Sequence, residues 1–501
     1  MHLILVAIGF VAIFLFYHLY YKRLSYPPGP TPVPFFGNIF SLATVNRFEY
    51  KFLEWKKKYG NVYTYWVGNM PVVSVNDAKL AIKAFVKDGD LYVNRGEDTN
   101  FQKYVRYGKT TGVIFSDGPL WENQRRFALR FLRDFGLGKN QMQDRIMDEV
   151  QCIIEQTNQE IKSGFVDEHD FYKKTDIAIG SIINSLIFGY RFTQDGNEKE
   201  FYRLKALTSQ MMRGVLSPIV LLARYNDWIF NVTRNYCSFA YKPIEEIFNF
   251  IDDQIRRRIK TEEVDENVEP RDFVDAFLIE KAKQKRLESP SAELYTLEQL
   301  RGIAFDIWFA GQETTAATTN WAIAYLINYP KVQQKLHEEL DHFIGSDRLI
   351  TVADRQQLNY LNAVIMEVQR CGNIISQNVF RQTRQDVEID GHKIKKGTLC
   401  IAQISAIHYD DEVFPEPDVF KPERFLTEDG QLKRIDELMP FSLGKRICLG
   451  EGLARMELYL FVANLFNQYK FLPGKVPPEL KKLAPGATSN KSYTCKLEKR
   501  F

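Results

Sequence analysis

Paired cysteines are missing from this chain. Its six cysteines, Cys152, Cys237, Cys371, Cys400, Cys448 and Cys495, are scattered with no CxxC among them. That argues against a disulfide scaffold, for a reducing compartment, and against zinc-finger spacing. A dominant charge is missing too: 66 basic against 63 acidic residues leave a net +3. With no basic run interleaved with aromatics, nothing calls for a nucleic-acid partner. No Gly/Ser-rich or Pro-rich linker interrupts residues 50–500, and no repeat of about 20–50 residues is present. The 501 residues therefore read as one large domain behind a short N-terminal segment. What is plentiful is aromatic: 37 Phe and 25 Tyr suit a large apolar interior.

Residues 3–19 are almost wholly apolar, and no Lys, Arg, Asp or Glu occurs before Lys22. The stretch is long enough for one membrane-spanning helix, with Tyr17, Tyr20 and Tyr21 placed as an interfacial belt. A cleaved signal peptide would need a charged n-region and a small-x-small cleavage site, and neither is there. Lys22 and Arg23 favour a cytosolic flank, so the rest of the chain should lie in the cytosol. The prolines from Pro27 to Pro34 predict a stiff, extended connector that holds the domain at a set distance from the bilayer. The expected organisation is a signal-anchor transmembrane helix (1–21), a basic stop and proline-rich hinge (22–37), and a catalytic domain (38–501). Two sequons, at Asn231 and Asn490, should stay unmodified in this orientation.

Most of the chain reads as helix. Residues 119–135 form one, with Asp117 as cap and Gly136 as stop. Residues 144–163 form another, and 201–250 several, broken near Pro218 and Pro243. Residues 262–270 read as a surface loop. The longest helix starts at Thr296, where Thr-Leu-Glu-Gln has the form of a capping box, and stops at Pro330. Some 30 residues at a rise of about 1.5 Å would cross a whole domain. Residues 330–345 follow as an amphipathic helix with Val332, Leu336, Leu340 and Phe343 on one side. Strands are few: a hairpin at 387–394 around Asp390-Gly391, a strand at 399–404, and small groups near 62–76, 379–404 and 470–498.

The segment Phe441-Ser-Leu-Gly444-Lys-Arg446-Ile-Cys448-Leu-Gly450 stands just before a helix at 453–469. Gly444 permits a tight turn and close approach to a flat ligand. A helix N-terminus lowers a thiol's pKa and donates hydrogen bonds to sulfur. Arg446 could pair with a carboxylate. No second Cys or His lies nearby for zinc, so iron completed by a porphyrin is the natural metal for Cys448. In the long helix, Ala310-Gly311-Gln-Glu313-Thr314 contains a glycine that costs about 1 kcal/mol there and so needs a reason, such as close approach of a ligand. By spacing alone, Thr314 could equally bond back to the carbonyl of Ala310.

The Cys448 segment resembles the haem-binding loop of the cytochromes P-450, and from Pro440 to Glu457 it is similar to the microsomal family-2 branch. Glu367-Val-Gln-Arg370 resembles the family's E-x-x-R, and Arg424 in Phe420-Lys-Pro-Glu-Arg-Phe its second arginine. The resemblance covers nearly the whole chain. It implies a mainly α fold with a minor β region, the cytochrome P-450 fold, preceded by one transmembrane helix. It implies haem b with Cys448 as thiolate ligand, and Glu367, Arg370 and Arg424 as a structural triad. Trp121, Arg125, Arg95, Arg381 and Arg446 would seat the haem, together with Ala310, Gly311, Phe441, Gly444 and Gly450. Thr314 and Glu313 would be the alcohol–acid pair that delivers protons for O–O cleavage. Phe101, Phe115, Ile303, Phe309, Ile375, Val379 and Thr488 would shape the substrate cavity. The implied activity is monooxygenation of a lipophilic substrate (xenobiotic, fatty acid or steroid-like) with O2 and NADPH-derived electrons. The implied partners are NADPH-cytochrome P-450 reductase, cytochrome b5 as a second donor, and lipid of the endoplasmic reticulum membrane. Arg126, Arg130 and Arg133, on the opposite helix face, are candidates for the donor's docking patch. A peroxide or endoperoxide isomerase of the same fold, or a haem-binding sensor or carrier, are the alternatives. The stretch between Arg95 and Trp121 is a few residues longer than in familiar vertebrate members, which leaves the substrate open.

Overall fold

Apolar residues at helical spacing dominate the chain, and helices dominate its architecture. This computed structural model describes all residues except 1, 46, 97–109, 136–139, 166, 195, 216, 224–226, 234, 262–267 and 484–486. Among the described residues, twelve helices have twelve or more residues: α1 (His2–Leu19), α2 (Phe48–Tyr59), α3 (Gly118–Asp134), α4 (Asn140–Lys162), α5 (Phe171–Phe188), α6 (Glu198–Val215), α7 (Ser238–Thr261), α8 (Phe273–Arg286), α9 (Leu297–Asn328), α10 (Pro330–Phe343), α11 (Asn359–Gly372) and α12 (Glu451–Gln468). The strands are β1 (Val62–Val67), β2 (Met70–Val75), β3 (Arg381–Gln382), β4 (Val387–Ile389), β5 (His392–Ile394), β6 (Leu399–Ala402), β7 (Tyr469–Pro473) and β8 (Cys495–Lys499). One four-stranded sheet has the order β1-β2-β6-β3, and two hairpins pair β4 with β5 and β7 with β8.

The 32-residue α9 is the axis of the molecule. It packs against α5, α7, α11 and α12, and the largest apolar cluster gathers around it. Its start is only half a capping box. Thr296 accepts from the Gln299 amide at 3.1 Å, but the Gln299 side chain instead holds Gly112 through both its amide and its carbonyl, at 3.0 and 3.1 Å. The segment 112–116 is thereby fastened to the central helix.

Helix α1 is exposed along its length and is long and apolar enough to cross a membrane. Arg23 ties its end to the hinge, donating to the carbonyls of Leu19 (3.1 Å) and Gly29 (2.8 Å). The proline stretch is docked rather than free: Pro28 accepts from the Thr64 amide at 2.9 Å, and a Cβ on Gly29 would lie 1.9 Å from the Thr64 carbonyl oxygen. The connector is thus stiffened by β1 as well as by proline.

Several local expectations are corrected. Pro243 does not break a helix; it lies in the second turn of α7, where only one backbone bond is lost. Pro218 does start a new short helix, Pro218–Ala223. Phe343 is 43% exposed, beyond the apolar face of α10. The 399–404 strand ends at Ala402, because Ile404 begins a short helix. Gly136, Phe101 and residues 262–267 lie outside the described residues.

Candidate functional site

Between α9 and the start of α12 lies a cavity of about 320 Å³. Ala310, Gly311, Thr314 and Thr315 of α9 form one wall, Cys448, Leu449 and Gly450 lie across from them, and Arg95, Arg125 and Arg446 line it as well. Among the described residues no other cysteine lines it.

The Cys448 loop is held by backbone geometry. The Cys448 amide donates to the Phe441 carbonyl at 2.9 Å, and that of Ile447 to Gly444 at 3.0 Å. Ser442 and Gly444 have φ of 66° and 67°, and Arg455 covers the Phe441 ring at 4.8 Å. The reason for Gly444 differs from the expected close approach to a ligand. A Cβ there would stand 1.8 Å from the Phe85 carbonyl oxygen, so the glycine lets two backbones touch. Gly311 is similar: it lines the cavity, but an added Cβ would meet Ile183 of α5 at 2.7 Å. Gly450 faces open space, and its amide bonds the thiol of Cys448. Cys448 opens onto the cavity and is exposed there, while protein encloses its other sides. Contrary to the expectation from the helix N-terminus, that enclosure pushes the thiol pKa up; the Gly450 amide and Arg125 pull it down by less. A bound cation would complete the deprotonation.

Behind the loop, Glu367 and Arg370 are fully buried. Arg370 donates to both Glu367 oxygens at 2.7 and 2.9 Å, and Arg424 adds a third bond at 3.0 Å. The arginines also reach backbone: Arg370 holds the His408 carbonyl at 2.9 Å, and Arg424 those of Pro415 and Val419 at 3.0 and 3.1 Å. One carboxylate thus pins, through two arginines, the end of the Ile404–His408 helix and the irregular chain around 415–419.

The four arginines expected to seat haem lie close together: Arg95, Arg125 and Arg446 line the cavity, and Arg381 is near enough to feel their charges. Arg446 lies 3.9 Å over the Trp121 ring and donates to the carbonyls of Val93 (2.6 Å) and Ser116 (2.7 Å) and to Asp117 (2.8 Å). Arg125 donates to Ile447 at 2.6 Å, Arg381 to Leu443 at 2.6 Å, and Arg95 to Phe380 at 2.8 Å. Burial and the charges of Arg95 and Arg125 push Arg381 down to about 9. Burial, with Arg95, Arg125 and Arg381, pushes Arg446 down to about 8, against the pull of Asp117. The Trp121 indole N–H is buried without a partner. Four crowded cations and a vacant donor beside an apolar cavity call for a ligand that carries carboxylates at one edge. Haem, with two propionates and a flat apolar ring, fits this donor set, and Cys448 is placed to meet its iron.

Sequence reasoning missed Asp117 as a counter-charge. Asp117 does hold the cap position ahead of α3, where its carbonyl accepts from the Trp121 amide at 3.4 Å, but its carboxylate makes no cap bond and instead accepts from the Arg95 amide at 2.7 Å and from Arg446. It also missed Asp306, which accepts from the amides of Val113 (2.7 Å) and Ile114 (2.9 Å). An acid set among apolar residues one turn before Ala310 was the available signal. Thr314 lines the cavity and donates to the Ala310 carbonyl at 2.7 Å, whereas the Glu313 carboxylate points away to Lys205. Of the residues expected to shape a substrate cavity, Ile375 and Val379 line it. Phe115, Ile303, Phe309 and Thr488 do not. Ile303 is fully buried in the main core, Phe309 stacks on Phe305, and the Thr488 hydroxyl bonds Glu313 at 3.4 Å.

The comparisons agree with this geometry. A family model described as Cytochrome P450 matches residues 27–497. The chain is 36% identical to cytochrome P450 2J5 of Mus musculus over 452 residues, covering 90% of this chain and 86% of that protein. It is 32% identical to cytochrome P450 2E1 of Oryctolagus cuniculus over 499 residues, 95% and 97% respectively. It is 37% identical to cytochrome P450 2J3 of Rattus norvegicus over 476 residues, 94% and 90%. The chain belongs to the cytochrome P450 family. A P450 carries haem ligated by a cysteine thiolate and uses O2 with reductase-derived electrons. In this P450 the cavity cysteine is Cys448.

The Phe85–Gly444 contact gives a direct check. Gly444→Ala should cost about 1–3 kcal/mol from left-handed strain, before the clash is added. We expect a lower melting temperature and less haem bound per chain. Wild-type melting and loading would contradict the packing described.

Proposed function

We propose that this P450 is a membrane-anchored monooxygenase of the endoplasmic reticulum. Residues 1–21 serve as its anchor, 22–37 as its hinge, and 38–501 as its catalytic domain on the cytosolic side. It takes electrons from NADPH through NADPH-cytochrome P-450 reductase, with cytochrome b5 as a second donor, and hydroxylates a lipophilic substrate. The observation that carries this reading is the wall of Ala310, Gly311 and Thr314 facing Cys448 across an apolar cavity. The balanced reaction takes substrate, O2, two electrons and two protons to hydroxylated product and water.

Haem, when bound, supplies the oxidising chemistry. The chain's own residues do the rest. Trp121, Arg125, Arg381 and Arg446 orient the two carboxylates at the ring edge. Ile375 and Val379 offer apolar contact to the substrate and exclude water. The Thr314 hydroxyl, with its hydrogen directed to Ala310, keeps lone pairs free to accept from a water and hold it for proton delivery. Arg126 and Arg133 are exposed on α3, and Arg130, also exposed, lies 3.7 Å from Glu280. They offer a basic face to an acidic donor.

The test is reconstitution with the reductase, NADPH and a panel of fatty acids, steroids and drugs. Reductase-dependent product is expected. Thr314→Ala should lower product formed per NADPH by about 10²-fold, the low end for a lost proton-transfer group. Absence of NADPH consumption with every substrate would overturn the reading, and turnover of peroxides without reductase would favour an isomerase instead.

A further inference from the structure

Lys482 and Asn490 pair in an isolated antiparallel bridge near the C-terminus, where the Leu483 amide also donates to the Ser489 carbonyl at 3.0 Å. This bridge is seated on the central helix, because Trp321 Nε1 of α9 donates to the Thr488 carbonyl at 2.9 Å. From that base the partly buried Lys482 side chain reaches across to the end of α11. Its Nζ donates to the Asn373 carbonyl at 2.6 Å and to the Ser376 hydroxyl. Both acceptors are neutral. Burial pushes the Lys482 pKa down to about 8, while the charges of Glu49 and Arg47 act on it by less and in opposite directions.

Helix α11 ends at Gly372, and Asn373 turns the chain away with a φ of 40°. A cation over the last carbonyls of a helix complements the partial negative charge there. At the far side of the turn, Gln403 Nε2 donates to the Ser376 carbonyl at 3.0 Å. The 373–376 turn is thus gripped at both ends. Between the grips lie Ile374 and Ile375, and both line the cavity. Lys482 itself does not line it. A hydrogen bond from an ammonium is roughly twice as strong as one between neutral groups. A charged donor therefore places this wall more firmly than a neutral one would, at the cost of its own desolvation.

We propose that Lys482 is a positioning residue for the substrate: by clamping the 373–376 turn it fixes the Ile374–Ile375 wall, and through that wall it sets which carbon of a lipophilic substrate is oxidised. This rests on the reading of the cavity as the substrate site of a monooxygenase. Lys482 acts only through the two isoleucines. The C-terminal bridge on α9 and the end of α11 then work as one frame, and the lysine is the strut between them.

The experiment uses the full-length holoenzyme with testosterone and dodecanoic acid, two lipophilic probes that each offer several oxidisable carbons. It measures probe dissociation constants from the haem absorption change, the ratio of hydroxylated products with reductase, and ligand-free hydrogen exchange of the Asn373 amide, which donates to the Gln369 carbonyl at 3.2 Å. Lys482→Met should speed that exchange about tenfold, the low end for a lost bond to a charged group. It should shift the product ratio by about threefold or more, well inside the roughly hundredfold that a misplacement of about 1 Å can cost. Lys482→Arg, which keeps the cation, should restore most of both. Ser376→Ala, which removes one of the two acceptors, should move both the same way by less, and it carries the comparison should Lys482→Met lose its haem spectrum. Wild-type exchange at Asn373 in Lys482→Met would overturn the clamp. Faster exchange beside wild-type product ratios and dissociation constants would overturn its part in placing the substrate. If the wild type forms no reductase-dependent product from any substrate, the monooxygenase reading fails, a separate result, and exchange with probe affinity still decides the clamp.

Discussion

Cys448→Ala should lower monooxygenase turnover on the order of a thousandfold or more, as expected when the group at the centre of a cooperative site is removed, while the polypeptide stays folded. The two halves of this expectation have separate causes. The thiolate is the protein's ligand to iron and raises electron density there, which favours O–O cleavage. No other cysteine is placed to replace it, because none of the others lines the cavity. The side chain itself supports little of the core, since it opens onto that cavity. Its loop is fixed by contacts that alanine keeps: the Cys448 amide on the Phe441 carbonyl, Arg125 on Ile447, and Gly444 against Phe85. Turnover with reductase and thermal unfolding of the apoprotein check the two parts. Retained turnover would contradict the assignment of the ligand, and an unfolded apoprotein would contradict the account of what holds the loop.

The largest expected effect on stability comes from Glu367. Its two oxygens accept from Arg370 twice, from Arg424, and from the Lys421 amide at 2.9 Å. Glu367→Ala strands Arg370, which has no solvent exposure, and Arg424, whose side chain is 9% exposed. Breaking a buried pair in this way costs about 3–5 kcal/mol, against a total stability of about 5–15 kcal/mol for a typical domain. It would also loosen His408, Pro415 and Val419, all held through the two arginines. The expected outcome is a chain that expresses poorly and retains little haem. Denaturant unfolding checks it: a loss below about 1 kcal/mol would mean that the triad is weakly coupled to the fold.

The contrast between these residues and others shows what local pattern can reveal. Glu367 and Arg370 are three apart on a helix, and Cys448 stands just ahead of one, so their roles leave a short-range mark. The central helix was visible for the same reason: its length and its stop at Pro330 are local properties. At Asp117 the cap position was legible but the ion pair was not, because its partner Arg446 lies 329 residues away. The Glu313–Lys205 pair spans 108 residues, and no spacing rule announces it. Gly311 was assigned to a ligand because its packing partner, Ile183, lies on another helix. Phe309 shares the cavity helix but points roughly 100° from Ala310, and Ile303 lies on the same face two turns earlier, where the main core takes it up. Tertiary packing decided each of these, and one sequence carries no register between distant helices.

The central claim is that Cys448 ligates haem iron as a thiolate. The most direct measurement is the reduced, carbon-monoxide difference spectrum of the intact protein. The account expects the red-shifted Soret band of thiolate-ligated haem, lost in Cys448→Ala and kept when any of the other five cysteines is replaced. A band at the position of imidazole-ligated haem in the intact wild-type protein, or a thiolate band that survives Cys448→Ala, would contradict it.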